Sequence, residues 1–295
     1  MIDLHMHSTA SDGRCSPEDV VQRAHHKGIR TISLTDHDTM AGVPAAAATA
    51  ARLGMTFIPG IEITSVHGGR DVHVLAYFLS ELSEALTALL ADQRRNRVIR
   101  AHAIADRLAA VGAPIDVDAL MQAASSLGGK SLARPQIAQA LIAAGHVSSV
   151  AEAFERFLGE DGPAYIPHRG ASPAEVVELI VRGGGVASLA HPGYTKKDEV
   201  IPELVETGLG AIEAYHSAHD EATTTRYVAM ARQYGVAVSG GSDFHGEGTR
   251  RSEFFGVVNL PPHEFVELAA SGERVGAMVR AVAATSLRSH YTSLS

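Results

Sequence analysis

Five short clusters of histidine and carboxylate punctuate this chain, and four of them end or directly follow an apolar run that reads as a buried strand. They are His5-Met6-His7, Thr35-Asp36-His37-Asp38, Gly60-Ile61-Glu62 with His73 a few residues on, Ala190-His191-Pro192, and Ser242-Asp243-Phe244-His245. A chain that carries its polar clusters at strand ends limits its own fold, because those ends have to converge. Parallel strands of a β/α barrel do this, since their ends meet at one mouth, where polynuclear metal sites are built.

The text between the clusters fits that reading. Ile2–His7 reads as a short buried strand. Ser16 then caps a helix with Pro17 in its first turn, and helical spacing runs to Lys27 before Gly28. Thr31–Thr35 is strand, Val43–Leu53 alanine-rich helix, and Thr56–Thr64 and Asp71–Phe78 are strands. Strand and helix at this pitch predict βα units and a mostly parallel sheet. From 80 to 164 the texture is helical: a long pattern over Ser83–Ala110, then Ser131–Ala144 and Val150–Leu158. The βα rhythm resumes with helix Ser172–Gly183, strand Val186–Ala190, helix Glu199–Thr207, strand Ala211–Tyr215, helix Ala222–Tyr234 and strand Val236–Ser239. Residues 284–295 are polar, show no apolar face and read as a frayed end. The expected fold is α/β, a distorted TIM-like barrel formed by 1–79 and 165–295, with an all-α insertion over 80–164. The glycine stretches Gly183–Gly185 and Gly240-Gly241 lack the dinucleotide fingerprint after the first strand.

Residues two apart in a strand share a face, so His5 and His7 can grip one ion together, and Asp243 and His245 have the same spacing. Glu62 can bridge neighbouring cations through its two oxygens. His37, His73 and His191 add imidazoles, and Asp12 lies in the loop after the first strand. These nine residues are too many for one ion and suit two or three. Imidazole and carboxylate leave Mn, Zn and Fe open. Eight other histidines, His216 and His219 among them, carry no supporting pattern.

His-x-His near the start, T-D-H-D, G-x-E followed by H-V-L, A-H-P and S-D-x-H, in this order, resemble the polymerase and histidinol phosphatase (PHP) family. The resemblance covers about residues 1–79 and 165–260. It implies a distorted (β/α)7 barrel with a metal cluster at the C-terminal ends of the strands, and two or three divalent ions, Mn foremost. His5, His7, Glu62 and Asp243 would hold one ion, Glu62, His73 and His191 a second, and Asp12, His37 and His245 a third. In many relatives histidine stands where this chain has Asp12. Metal-activated hydroxide would attack a phosphoryl group, with His37, His191 and Asp243 nearest the chemistry.

Specificity is expected from the helical segment. Arg94, Arg95, Arg97 and Arg100 lie close together on the long helix, and Arg97 and Arg100 are one turn apart. Gly128-Gly129-Lys130-Ser131-Leu132-Ala133-Arg134-Pro135 combines a glycine turn, a serine cap and cations, which suits an anion. A similar A-R-P stretch in the family points to the subgroup of 3′,5′-nucleoside bisphosphate phosphatases. That implies cleavage of the 3′-phosphate beside Asp12 and His37, while Arg134, with Lys130, Ser131 and Arg100, holds the 5′-phosphate. The rivals are a 5′→3′ exonuclease or phosphodiesterase on short 5′-phosphorylated oligonucleotides, a histidinol-phosphate phosphatase, and a metal-stabilised module without turnover.

Composition narrows the partners. A net charge of −8 argues against indiscriminate nucleic-acid binding, although two or three divalent ions would add about +4 to +6 at the mouth. The absence of tryptophan and a 5% aromatic content argue against a long stacking platform, so small nucleotides come first. One cysteine, Cys15, excludes an internal disulfide and suggests a cytoplasmic protein. No apolar run approaches the length of a membrane helix, and no obligate protein partner is evident.

Overall fold

The structure, a computed structural model, describes residues 1–126, 134–249 and 252–292. Its elements begin with β1 (Ile2–Asp3), α1 (Pro17–His26), β2 (Thr31–Leu34), α2 (Val43–Arg52), β3 (Thr56–His67) and β4 (Arg70–Tyr77). Helices follow: α3 (Glu84–Ala110), α4 (Val117–Ser126), α5 (Arg134–Ala143) and α6 (Val150–Ala153), the last continued by a π-helical turn over Phe154–Leu158. Then come α7 (Pro173–Arg182), β5 (Val186–Leu189), α8 (Pro192–Thr195), α9 (Ile201–Thr207), β6 (Ala211–His216), α10 (Glu221–Tyr234), β7 (Ala237–Gly241) and α11 (Pro262–Thr292). The seven strands form one sheet in sequence order.

Central stretches of these strands are buried on both faces, as a sheet with a packed interior and covering helices requires. α7, α9, α10 and α11 pack their apolar stripes on one part of the barrel, around Ile61, Leu75, Val186 and Val238. α1 and α2 cover the start, burying Val20, Val21 and Ala50 against Ile32 and Leu34. The helical turns start where the sequence dictates. Ser16 accepts from Asp19 N (3.2 Å) to cap α1, and Ser172 with Glu175 forms a full capping box on α7.

Three expectations change. First, the sheet is parallel at β1–β2, β2–β3, β5–β6 and β6–β7, but β4 runs antiparallel to both neighbours. Gly68 (φ 59°) and Gly69 (φ 77°) join β3 to β4 as a two-residue hairpin with His67 opposite Arg70, which leaves no length for a crossover. His73, near the start of this reversed strand, therefore faces the same mouth as the ends of the parallel strands. Glu62 lies inside β3 rather than after it.

Second, only Ile2–Asp3 of the expected first strand pairs regularly with β2. From Leu4 the chain leans toward the other end of the sheet. Leu4 N donates to Gly240 O (3.1 Å), Asp243 N to His5 O (2.8 Å) and His7 N to Phe244 O (2.8 Å), while Thr35 N still donates to Met6 O (2.9 Å). These bonds nearly close the barrel. Gly241 is what allows the approach, because a Cβ there would sit 2.3 Å from His5 N. Third, α11 fills a stretch left without an element in the sequence reading, and residues 284–292 are helical rather than frayed.

Between β4 and β5 the described elements are helices joined by turns and irregular stretches, and α3 to α6 share an apolar cluster that includes Ile104, Leu108, Ile137, Leu141 and Leu158. No helix among the described residues is long and apolar enough to cross a membrane.

Candidate metal centre

One carboxylate organises the mouth of the barrel. Glu62, 1% exposed, directs Oε2 toward His5 Nε2, His7 Nε2 and His37 Nδ1, each at 3.2 Å. Its Oε1 lies 2.8 Å from His73 Nδ1 and 3.0 Å from His191 Nε2. Five imidazoles from four strands and the turns that follow them thus meet the two oxygens of one side chain. Asp243 closes the opposite side: its Oδ1 is 3.1 Å from His7 Nε2 and 3.4 Å from both His5 Nε2 and His245 Nδ1. Asp12 Oδ2 is 3.3 Å from His245 Nε2 and 3.8 Å from His37 Nε2. All nine residues nominated from the sequence therefore come together.

The loop that delivers Asp12 is tied down from below. Asp36 accepts from Ser8 N, Ser8 Oγ and Ser11 Oγ, each at 2.7 Å, and Gly13 passes so close to His7 O that a Cβ would lie 2.5 Å away. His191 (φ 29°), Asp243 (φ 56°) and Asp38 (φ 53°) adopt left-handed backbone that such residues rarely take. That strain sits at the site, where surrounding contacts hold it. Asp38 is fixed by Arg97, which pairs with Oδ2, and by Thr64 N, which donates to Oδ1 (2.9 Å).

Two residues at the site were not nominated. Glu213, fully buried on β6, accepts from His191 N through Oε2 (2.7 Å) and meets His5 Nδ1 through Oε1 (2.9 Å). It fixes the His5 tautomer and leaves Nε2 facing the centre. His216, treated above as patternless, lies with Nε2 3.3 Å from Asp243 Oδ2, and its Nδ1 accepts from Ala218 N (3.0 Å). The only sequence signal for Glu213 is a carboxylate in the middle of an otherwise apolar strand.

The charges are arranged for cations. Burial holds His7, His37 and His191 below the usual histidine range, which keeps imidazole lone pairs available. Burial alone would raise Glu62 and Asp12, yet the histidines around them hold both well below the usual carboxylate range. Glu213 likewise falls to about 2: burial opposes the shift, and His5 and His216 drive it. Both ring nitrogens of His7, and Nδ1 of His37, are buried without a hydrogen bond among the described residues. Buried lone pairs and carboxylate oxygens with too few protons between them suit divalent ions. Four groups could each supply ligand atoms within 4.8 Å of one another: His7, Asp12, His37 and His245; His5, His216 and Asp243; His5, His7 and Glu62; and His37, Glu62 and His73. Nitrogen and oxygen without sulfur fit Mn, Fe or Zn.

The cluster floors a cavity of 660 Å³ whose far wall comes from the helices, including Arg97, Arg100 and Arg134. Arg100 Nε donates to Ile166 O (2.9 Å), and the Arg134 guanidinium stands 5.7 Å from the ring centres of both Phe154 and Tyr165. Arg94 reaches Asp38 O (3.4 Å), while Arg95 pairs with Asp92 on the surface. Lys130 and Ser131 lie outside the described residues. Beside the cavity, His168 Nδ1 meets Asp71 Oδ1 at 2.6 Å. Burial would raise the Asp71 carboxyl, but His168, with His73 and Arg100 beyond it, brings it down to about 2.

Known proteins resemble this chain along most of its length. The sequence model of one family, the PHP domain, matches residues 3–100. A phosphoribosyl 1,2-cyclic phosphate 1,2-diphosphodiesterase of Eggerthella lenta is 34% identical over 255 residues, which cover 83% of this chain and 94% of that protein. A 3′,5′-nucleoside bisphosphate phosphatase of Chromobacterium violaceum is 32% identical over 88% of this chain and 93% of its own length. A 5′-3′ exoribonuclease of Haemophilus influenzae is 33% identical over 82% of this chain and 89% of its own. The crystal structure of a metal-dependent phosphoesterase from Bifidobacterium adolescentis superposes with a TM-score of 0.80 at 29% identity, covering 92% of this chain and 96% of that one.

Proposed function

The chain belongs to the PHP family of metal-dependent phosphoesterases, and from that premise we propose that it removes the 3′-phosphate of nucleoside 3′,5′-bisphosphates, such as 3′,5′-ADP. The observation that carries this reading is the shape of the charge. A single cavity joins a cluster built for divalent ions to a wall bearing Arg100 and Arg134. A substrate with two phosphates would engage both the cluster and the arginines; a monophosphate would leave one of them unused. The similarity to the Chromobacterium violaceum phosphatase supports the same choice.

The barrel, 1–79 and 165–295, then supplies the chemistry, and 80–164 the second anion site. His5, His7, Asp12, His37, Glu62, His73, His191, Asp243 and His245 would hold two or three ions, with Mn the expected metal. Bound there, the ions supply Lewis acidity, which acidifies water and offsets charge on the phosphoryl oxygens. Glu213 keeps His5 Nε2 aimed inward. His37, His191 and Asp243 border the reacting phosphate. Arg134, held near the rings of Phe154 and Tyr165, presents a planar guanidinium to the 5′-phosphate, with Arg100 alongside. Cys15 is buried and is the only cysteine, in keeping with a cytoplasmic enzyme.

A 5′→3′ exonuclease acting on short 5′-phosphorylated oligonucleotides is the second reading. Tyr194 favours it: 58% exposed at the cavity rim, with its ring 5.8 Å from that of His191, it offers a face for a further base. The test is phosphate release by the Mn-loaded enzyme from 3′,5′-ADP, 5′-AMP, 3′-AMP, histidinol phosphate and a 5′-phosphorylated oligoribonucleotide, with nucleotide release followed for the last. Preference for 3′,5′-ADP is expected. Faster turnover of the oligonucleotide replaces the first reading with the second, and inactivity on all five removes both.

A further inference from the structure

Hydrolysis at a 3′ oxygen leaves one requirement unmet by the metal cluster. The departing alkoxide is a strong base and needs a proton in the transition state. The histidines on Glu62 turn their inner nitrogens toward the centre, where they would serve as ligands. Elsewhere in the cavity wall, Glu160 is committed to Arg70 (2.6 Å), and Tyr194 stands out at the rim. His168 differs from both. It is 5% exposed, lines the cavity, and is held by Asp71 Oδ1 2.6 Å from Nδ1.

That contact fixes which nitrogen does what. A carboxylate at Nδ1 keeps a proton there, so Nε2 is the nitrogen whose proton can come and go. Nε2 is buried and makes no hydrogen bond among the described residues. A buried polar atom without a partner, in a residue that lines the cavity, calls for one, and a bound substrate reaching past the lining would supply it. Its height in the barrel is also suitable. Asp71 and His73 are two apart on β4 and share a face, so the dyad stands one strand repeat, about 7 Å, above the ring of Glu62 ligands. An ester oxygen above a phosphate on the floor would face the dyad.

Building on the proposed function, we propose that His168 is the acid that protonates the leaving 3′ oxygen and that Asp71 positions it. Water forms the new P–O bond as the bond to the 3′ oxygen breaks, and the electron pair of that bond stays on the oxygen. The Nε2 proton of the His168 imidazolium passes to it, giving the alcohol and neutral imidazole. The proton lost by the attacking water goes to solvent, and solvent returns one to Nε2.

The test pairs 3′,5′-ADP with its 3′-S-phosphorothiolate analogue, whose thiolate departs without protonation. With the Mn-loaded enzyme, His168→Gln should lower kcat for the oxygen ester by about 10²–10⁴-fold and hardly change it for the sulfur ester. Equal losses on both would overturn the assignment. Should His168→Gln not fold, the wild type still decides: a normal solvent deuterium isotope effect on kcat with the oxygen ester and none with the sulfur ester supports the acid, and no effect with the oxygen ester overturns it. Wild-type inactivity on both esters refutes the bisphosphatase reading itself, and the acid with it.

Discussion

Replacing Glu213 with glutamine tests how the centre is held, without removing any nominated ligand. The carboxylate accepts on both sides, from His5 Nδ1–H at 2.9 Å and from His191 N–H at 2.7 Å. A glutamine carries one acceptor and one NH₂. It can serve one neighbour, and turns a donor toward the donor on the other. Either His5 rotates and Nε2 leaves Glu62, or the left-handed turn at His191 loses the bond that ties its amide down. A hydrogen bond to a charged group contributes about 1.5–3 kcal/mol. Loss of an outer partner of a metal-bound histidine typically weakens metal affinity by about 10–100-fold, or about 1.4–2.8 kcal/mol. Glu213→Gln should therefore weaken Mn binding by that factor, measured by competition with a chromophoric chelator. Glu203→Gln, an exposed change on α9, serves as the charge-matched control and should bind as the wild type does. Unchanged affinity in Glu213→Gln, or an equal loss in the control, would refute the claim that this carboxylate orients His5.

Arg134→Ala should raise KM for 3′,5′-ADP by about 10–100-fold, the loss of a charge-assisted contact, and leave KM for 3′-AMP nearly unchanged; steady-state kinetics on both substrates decides. Gly241→Ala should cost about 1–3 kcal/mol, because its Cβ would meet His5 N at 2.3 Å and push the first strand off the last. A lower urea midpoint together with weaker metal binding is the expected pair of results. Asp71 is held near 2 against an ordinary value of 3.8, so the folded state binds its proton less readily than the unfolded chain does. Its contribution is fully present above 3.8 and is lost as pH falls toward 2. The difference in urea midpoint between wild type and Asp71→Asn should shrink over that window and stay constant above it.

Most of the nine nominated residues were legible because they sit at or just after a strand whose apolar run is visible in the text; Asp12 stood apart, in the loop after the first strand. What escaped did so for local reasons. Glu213 and His216 are three apart, and in a regular strand of period two they would point to opposite faces. A register shift between Glu213 and Tyr215 changes the phase, so both reach the centre. Such a bulge leaves no mark in the letters A-I-E-A-Y-H. His168 lies in a loop, Ile166-Pro167-His168, where no periodicity assigns a direction, and its partner Asp71 is distant in sequence. The reversal of β4 was written in His67-Gly68-Gly69-Arg70, a hairpin signal outweighed by the βα rhythm on either side.

The seam of the barrel has a consequence for how the enzyme is made. His5 and His7 come from the first strand, Asp243 and His245 from just beyond the last, and the two strands meet through Leu4, His7, Gly240 and Phe244. On the ribosome the first pair is made long before its partners, which lie more than two hundred residues further along the chain. A nascent chain that stops short of residue 245 can bury Glu62 against His37 and His73, but it cannot complete the centre. Completion of the centre is thus tied to the closing of the ring, which joins its first and last contributors.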